Sequence, residues 1–494
     1  MLLLGIDVGT SSIKASVIDS AGGACIASAQ FPDTETGIIS LQHGWAEQSP
    51  EMWWEHVQQA ILKLNASRKC DPKDISAIGI SYQMHGLVLV DQRKEVLRDA
   101  IIWCDSRAVP YGEAAFHAIG EEKCLVTLLN SPGNFTAAKL AWVKENEPHI
   151  YEQIDKVLLP GDYIAMKFTG AVTTTISALS EGIFWDFTKD ELSADVLNYF
   201  GFECGHFPAV HPVFSEHGLL RTDVAENLGL KPGIPVSYKA GDQPNNALSL
   251  NVLKAGEVAA TAGTSGVIYA VTDQLAHDRA SRVNGFAHVN YTPQDKHIGI
   301  LLCINGVGIL NRWIKNTTGS GTSYARMNED AMKVPAGSDG VRILPFGNGA
   351  ERMLENRDTG AQIHGVDLNT HTAAHLWRAA QEAIAFSFRY GMDILRENKI
   401  SPAVIRAGRA NMFLSPLFAQ TFVNATQVPV ELYNCDGSVG AAIGAGLGAG
   451  LYRGTEEAFS GASPLQLVEP DNRSFYDERY QEWKELLNNS LGNQ

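Results

Sequence analysis

A chain of 494 residues with 39 basic and 55 acidic side chains carries a net charge of −16, which argues against nucleic acid and anionic membrane surfaces as partners. The length exceeds what one core can serve, so about two or three domains are expected, and the balance of 45% apolar to 19% charged residues is that of a globular protein. The seven cysteines, Cys25, Cys70, Cys104, Cys124, Cys204, Cys303 and Cys435, form no CxxC pair and suit free thiols in a reducing cytoplasm; Met1 to Leu4 is too short for a signal-peptide core, and the uncharged run Gly437 to Tyr452 is too short to span a bilayer.

In chain order, Leu3 to Ile18 reads LLGIDVGTSSIKASVI, with Asp7 in an apolar run, a small-residue turn at Gly9-Thr10-Ser11-Ser12, and then alternation of Ile13, Ala15 and Val17 with Lys14 and Ser16. This predicts strand, turn, strand. Neither GxxxxGK[ST] nor GxGxxG is present, which excludes a P-loop or dinucleotide turn there. A turn of small residues can aim backbone N–H groups and hydroxyls at phosphate oxygens, while Asp7, an acceptor, suits a metal-bound water. Ser49-Pro50-Glu51 predicts a helix start, with Trp53, Val57, Ala60, Ile61 and Leu64 on its buried face. Ile75 to Ser81 is a short strand running into Tyr82-Gln83-Met84-His85-Gly86, where open α/β sheets bind ligands, although local hydrogen bonding by itself also accounts for His85. A strand at Ala100 to Trp103 leads to Cys104-Asp105-Ser106-Arg107, in which Asp105 and Arg107 read either as sugar contacts or as an ion pair pinning the loop.

The middle of the chain predicts helices at Thr136 to Asn146 and Asp162 to Phe168, and β structure across Val172 to Phe187. Val236 to Ala240 predicts a strand ending at Gly241-Asp242-Gln243-Pro244. Asp242 has two readings, the cap of a helix with Pro244 in its first turn, or a general base at a cleft. Glu257 to Val271 then repeats the opening of the chain: strand, Gly263-Thr264-Ser265-Gly266, strand. Two such hairpins about half a chain apart predict a duplicated domain closing on one nucleotide. A helix around Ile309 to Ile314, a loop from Leu344 to Arg352 and a long helix over Thr372 to Arg396 follow. His371 and His375 have zinc-like spacing without the glutamate or a third ligand, so no metal is expected on them. Gly440, Gly444 and Gly448, each followed by alanine, predict a helix pressed onto neighbouring backbone, and Tyr476 to Leu491 predicts a final amphipathic helix.

Taken together, GIDVGTSSIK, GWAEQSPEMWW, YQMHG, IIWCDSR, TAAKLAWVKENEP, LPGDYIAMKFTG, AGDQPNNA, TAGTSGV, LPFGNGAER and GSVGAAIGA make a chain that resembles the FGGY family of carbohydrate kinases over nearly its whole length. The resemblance implies an α/β fold of two actin-like, ribonuclease H-like ATPase domains, 1–248 and 249–494, with a catalytic cleft between them. It implies ATP and Mg²⁺ as cofactors and transfer of the γ-phosphate to a sugar hydroxyl. Carried over residue by residue, Asp242 is the catalytic base and Asp7 the metal-linked acid. Met84 and His85, with Gln83, Trp103 and Asp105 beside them, contact the sugar. Gly9, Thr10 and Ser11, and Gly263, Thr264 and Ser265, hold the nucleotide phosphates.

Two departures bear on specificity. The family's glycine-rich adenosine stretch is replaced by Ala407-Gly408-Arg409-Ala410, and the GDN frequent in its xylulose-specific members is Gly241-Asp242-Gln243, a form closer to its glycerol-specific members. Glycerol-specific members carry an arginine-glutamate pair where this chain has Met84-His85, so the expected order of substrates is D-xylulose, then another ketose such as ribulose, then glycerol. Sugar and nucleotide are the expected partners, with a homodimer as the assembly to test. A catalytically weakened sugar-responsive protein and a filament-forming relative on the same fold are the alternatives.

Overall fold

The computed structural model describes residues 1–492. Two sheets are built on one plan. In the first, the hairpin strands Leu2–Val8 and Ile13–Asp19 and the strand Cys25–Phe31 are antiparallel neighbours, and Ile75–Tyr82 and Val236–Gly241 add in parallel on the other side of Leu2–Val8. The second repeats the order with Val258–Ala262, Gly266–Thr272 and Ile298–Ile304 antiparallel, and Ile405–Gly408 and Val430–Tyr433 in parallel. Asn284–Ala287 and Gln466–Val468 extend its two edges. Adding a parallel strand requires a long crossover, which is why the intervening segments carry the helices. The fold is α/β and duplicated, as the repeated hairpins predict, and agrees with the actin-like pair of domains that the resemblance implies.

Helices form where the sequence places caps and apolar faces. Ser49 caps Pro50–Ala66, accepting from the Met52 N–H, and the helix buries Trp53, Val57, Ala60, Ile61 and Leu64. Thr136–Asn146, Ala373–Glu397 and Arg473–Gly492 are helices as expected. The segment 172–187 differs. Only Thr173–Thr175 and Trp185–Asp186 are strands, and Ile176–Glu181 between them is a helix. Thr175 caps that helix through the Ala178 N–H at 3.0 Å, so a local side-chain bond outweighs the β preference of the threonine run.

The helix Gly437–Gly448 belongs to the second half of the chain but packs on the first sheet, against Leu2–Val8, Ile75–Tyr82 and Val236–Gly241. Gly5 and Gly79, paired across the two strands, make this possible: a Cβ on Gly5 would overlap the Ser438 carbonyl oxygen, and one on Gly79 the Ala441 carbonyl oxygen. Gly440, Gly444 and Gly448 supply the matching face, the first against the Ser249 hydroxyl and the second against the Tyr238 ring. At Gly5, Gly79 and Gly448 strand and helix backbones therefore meet directly, whereas Gly440 and Gly444 admit the Ser249 and Tyr238 side chains.

The halves also touch at an edge. Asn130 bonds both the carbonyl (2.6 Å) and the N–H (3.1 Å) of Gly285, and Ser177 and Ser180 bond Ala287, so first-half side chains satisfy the outer strand of the second sheet.

Candidate active site

The first turn closes with Val8 opposite Ile13 and the Gly9 N–H bonded to the Ser12 carbonyl. A chain of side chains braces it. The Thr10 hydroxyl donates to Gln83 Oε1 and accepts from Trp103 Nε1, both at 3.0 Å. Gln83 donates to Gln48, and Gln48 donates to the Thr10 carbonyl at 2.8 Å while accepting from Trp53 Nε1. The amide of Gln83, expected at the sugar, is thus spent on this turn. Trp103 is half exposed and stands over the same hydroxyl. The second turn, Gly263 to Ser265, is clamped by the start of the helix Gly308–Thr318, whose Gly308 and Ile309 N–H groups bond the carbonyls of Gly263 and Thr264. Among the described residues, the N–H groups of Thr10, Ser11, Thr264 and Ser265 make no backbone hydrogen bond, leaving them for an anion.

Asp7 lies opposite Lys14 on one side and Ser81 on the other, and against the first residue of the Gly437–Gly448 helix. Lys14 is paired with Asp436, the cap of that helix. Burial raises the Asp7 carboxyl above its ordinary range, against the Ser81 hydrogen bond and the Lys14 charge. Asp242 is the first residue of the helix Asp242–Ser249, and Gly241 occupies the cap position. The capping account of Asp242 therefore fails. Its carboxyl is pushed up to about 7, first by burial and then by the charge of Asp7, with Gln243 hydrogen bonds opposing. Gly241 has no room for a side chain, since a Cβ would come within 2.5 Å of Met84 Cγ and 2.6 Å of Glu181 Oε2.

His85 sits at φ 62°, a left-handed backbone position, and its Nδ1 lies 3.0 Å from the Glu181 carbonyl oxygen. Lys139, with no exposed surface, donates from Nζ to the His85 carbonyl at 2.8 Å. Burial lowers the Lys139 ammonium to about 7 and His85 to about 3, so the imidazole is neutral at physiological pH. The His85 ring packs against Phe135 and, across the cleft, against Phe286 of the second sheet.

Asp105, expected to contact sugar, is fully buried. Its carboxylate accepts from the Ala46 N–H (2.6 Å), the Arg107 N–H (2.8 Å) and the Arg107 guanidinium (2.7 Å), and Arg107 lies over Trp45 and also pairs with Glu47. Both oxygens are occupied, so Asp105 holds the loop that carries Trp103 and has its carboxylate committed within the protein. Buried charges persist only when paired, and Arg107 is the partner.

A cavity of about 320 Å³ opens beside the second turn, lined among others by Gly263, Thr264, Asn311, Tyr324, Asn328 and Asn411. Met412, Leu414 and Ser415, which follow the Ala407 to Ala410 stretch, complete its wall, whereas Arg409 is exposed and does not line it.

Comparison with known proteins matches residues 2–249 to the FGGY family of carbohydrate kinases, N-terminal domain, and residues 258–449 to its C-terminal domain. The chain belongs to the FGGY family of carbohydrate kinases. It is 30% identical to the xylulose kinase of Bacillus subtilis (strain 168), covering 92% of this chain and 90% of that one, and 28% identical to the xylulose kinase of Escherichia coli (strain K12), covering 89% and 88%. The solved xylulose kinase from Rhodospirillum rubrum superposes with a TM-score of 0.88 at 25% identity over 98% of each chain. No helix among the described residues is long and apolar enough to cross a membrane.

Within this FGGY kinase, several site residues escape a motif search. Gln48 and Arg352 lie within GWAEQSPEMWW and LPFGNGAER but nothing in those stretches singles them out, and Glu181 lies in none of the quoted motifs. Lys139 carries a weak signal, a lysine in the otherwise apolar helix stretch TAAKLAW. Asp7 fits a Mg²⁺ ion held through phosphates and water better than a closed protein cage: among the described residues no three His, Cys, Asp or Glu side chains gather to hold a metal. The facing carboxylates of Asp7 and Asp242, each raised by burial, are what a divalent cation would relieve.

Proposed function

We propose that this FGGY kinase transfers the γ-phosphate of ATP to a ketopentose, with D-xylulose the preferred acceptor and D-xylulose 5-phosphate the product. The observation that carries the reading is Asp242, at about 7 and beside Asp7, directly after Gly241, which packs against Met84. The names of the similar xylulose kinases add support.

In this reading the sugar lies against Met84 and the neutral His85, and Asp242 accepts the proton of the reacting hydroxyl, placed at C5. A base with a pKa near the working pH is what such a transfer needs. In the turns Gly9 to Ser11 and Gly263 to Ser265, the free N–H groups of Thr10, Ser11, Thr264 and Ser265 take the phosphates, and the cavity at Asn311, Asn328 and Asn411 takes the nucleoside. Mg²⁺ carried with ATP and held at Asp7 would neutralise phosphate charge. Trp103, Gln83 and Gln48 keep Thr10 in place, and Asp105 keeps Trp103 in place. The Phe286 contact with His85 supports closure of the second domain over the sugar, which excludes water as a competing acceptor.

The division at 248/249 is our boundary for the two domains, with the Gly437–Gly448 helix crossing back to the first. We also place the protein in the cytoplasm, in keeping with seven unpaired cysteines, and take a homodimer as the assembly for light scattering to test. The decisive assay is coupled ADP release with D-xylulose, ribulose, other pentuloses, pentoses, polyols and glycerol. Sugar-dependent release with the highest kcat/KM for D-xylulose is expected. Glycerol preferred by about tenfold, about 1.4 kcal/mol of transition-state preference, overturns the sugar assignment, and release indifferent to sugar overturns the kinase reading.

A further inference from the structure

Arg352 begins the short helix Arg352–Leu354, which packs on the strand Ile298–Ile304 of the second sheet. Among the described residues it is the one arginine that is not exposed and has no carboxylate partner: Arg98, Arg107, Arg282, Arg342, Arg378, Arg389, Arg396, Arg406 and Arg479 are all ion-paired. Its Nη1 is buried and bonds nothing. The adjacent Glu351 is committed elsewhere, accepting from the Asn305 N–H at 2.9 and 3.2 Å. The Arg352 charge acts on His85 across the cleft and on Cys303, and Cys303 in turn senses Asp242. Geometry places Arg352 beside the second phosphate-type turn: Glu351 ties the segment to Asn305, which follows the strand Ile298–Ile304 and stands three residues before Gly308, whose N–H holds the Gly263 carbonyl.

An unpaired guanidinium in the interior is costly unless an anion arrives to meet it. A ketose brings only neutral hydroxyls, whereas the transferring phosphoryl group brings negative charge on oxygens that a guanidinium fork can bind two at a time. Of the other cations nearby, Lys14 is paired with Asp436 and Lys139 donates to the His85 carbonyl, while Arg312 is exposed at the cavity beside the second turn.

We infer that Arg352 is a further catalytic residue, donating to the oxygens of the phosphoryl group as it passes from ATP to the sugar. The inference rests on the kinase reading above. In the step, the sugar oxygen forms its bond to the γ-phosphorus as the bond from that phosphorus to the β,γ-bridging oxygen breaks. ADP leaves with the electron pair, the hydroxyl proton goes to Asp242, and Arg352 exchanges neither proton nor electron.

The test compares Arg352→Gln, Arg352→Lys and Arg352→Ala with the unmodified chain. Arg352→Gln should lower kcat by about 10²- to 10³-fold, of the order seen when one transition-state donor is removed, while D-xylulose KM and calorimetric affinity stay within about threefold. Binding of ADP with aluminium fluoride in the presence of D-xylulose should weaken by about 100-fold in that variant, with ADP alone unaffected. Added guanidinium should restore about tenfold of the loss in Arg352→Ala and none in Asp242→Asn. Arg352→Lys, which keeps the charge, is read by the same measurements should the glutamine variant fold poorly. A raised sugar KM with kcat retained, or kcat within about threefold of normal, overturns the inference. Absence of sugar-dependent turnover in the unmodified chain instead overturns the kinase reading itself.

Discussion

Asp7 and Asp242 stand at the ends of two strands of the first sheet, with Ile75–Tyr82 between them, and the charge of Asp7 is the second largest cause, after burial, of the raised Asp242 carboxyl. Two carboxylates this close cannot both ionise freely. One consequence is a pH profile. The kcat/KM for D-xylulose should rise with pH through a midpoint near 7, as Asp242 becomes able to accept a proton. In Asp7→Asn the residual activity should show a lower midpoint, because one raising charge is gone. A midpoint unmoved by that substitution removes Asp7 as a cause.

Asp242→Asn separates chemistry from stability. The amide cannot take a proton, so kcat should fall by roughly 10²- to 10⁴-fold. Stability should move the other way. A carboxyl raised in the folded state contributes stability that is fully present below its unfolded pKa and is lost as pH rises through the folded value of about 7. The variant should therefore melt above the unmodified protein at about pH 8, and the gap should close towards about pH 4. Thermal scans at both pH values check it, and a variant less stable at the higher pH contradicts the assignment.

The close approach of helix and sheet predicts a sharp positional contrast. Gly5→Ala drives a methyl into the Ser438 carbonyl and should cost at least about 3 kcal/mol or prevent folding. Gly22→Ala, where nothing lies within 4 Å, should stay within about 0.5 kcal/mol. Urea titration of both variants decides it. Equal stabilities would mean that the Gly437–Gly448 helix does not rest on Gly5.

Nucleotide choice should be loose. The proposed nucleoside cavity presents Asn311, Asn328 and Asn411, whose amides can each donate or accept, and no ionised side chain tied to one purine edge except the exposed Arg312; the Ser415 hydroxyl is committed to Gln381 and the Phe418 N–H. GTP is expected to support about a tenth or more of the ATP rate. A preference for ATP above about 10³-fold shows that the cavity reads the base through contacts other than these.

Lys139 should act through His85. Lys139→Met removes the bond to the His85 carbonyl and frees a backbone position held at positive φ, so D-xylulose KM should rise about tenfold or more while ADP affinity is unchanged. Calorimetry with each ligand separately makes the distinction. Equal losses for both ligands would mark Lys139 as a general support of the fold.

Much of this protein is written locally. Alternation and a small-residue turn specify each GTS hairpin, because strand periodicity and turn chemistry depend on neighbours a few residues away. Ser49-Pro50 starts a helix for the same reason, and the Gly440, Gly444 and Gly448 spacing marks a bare helix face before its partner is known. Tertiary structure decided what depends on distant segments meeting. Asp105 is committed to Arg107 and the Ala46 N–H, Gln83 to Thr10, and Ile176–Glu181 is helical. The raised Asp242 carboxyl, the Lys139 bond beneath His85 and the unpaired Arg352 all arise from desolvation and charge pairing. Those energies are set by which residues the fold brings together in three dimensions, and no window of sequence contains them.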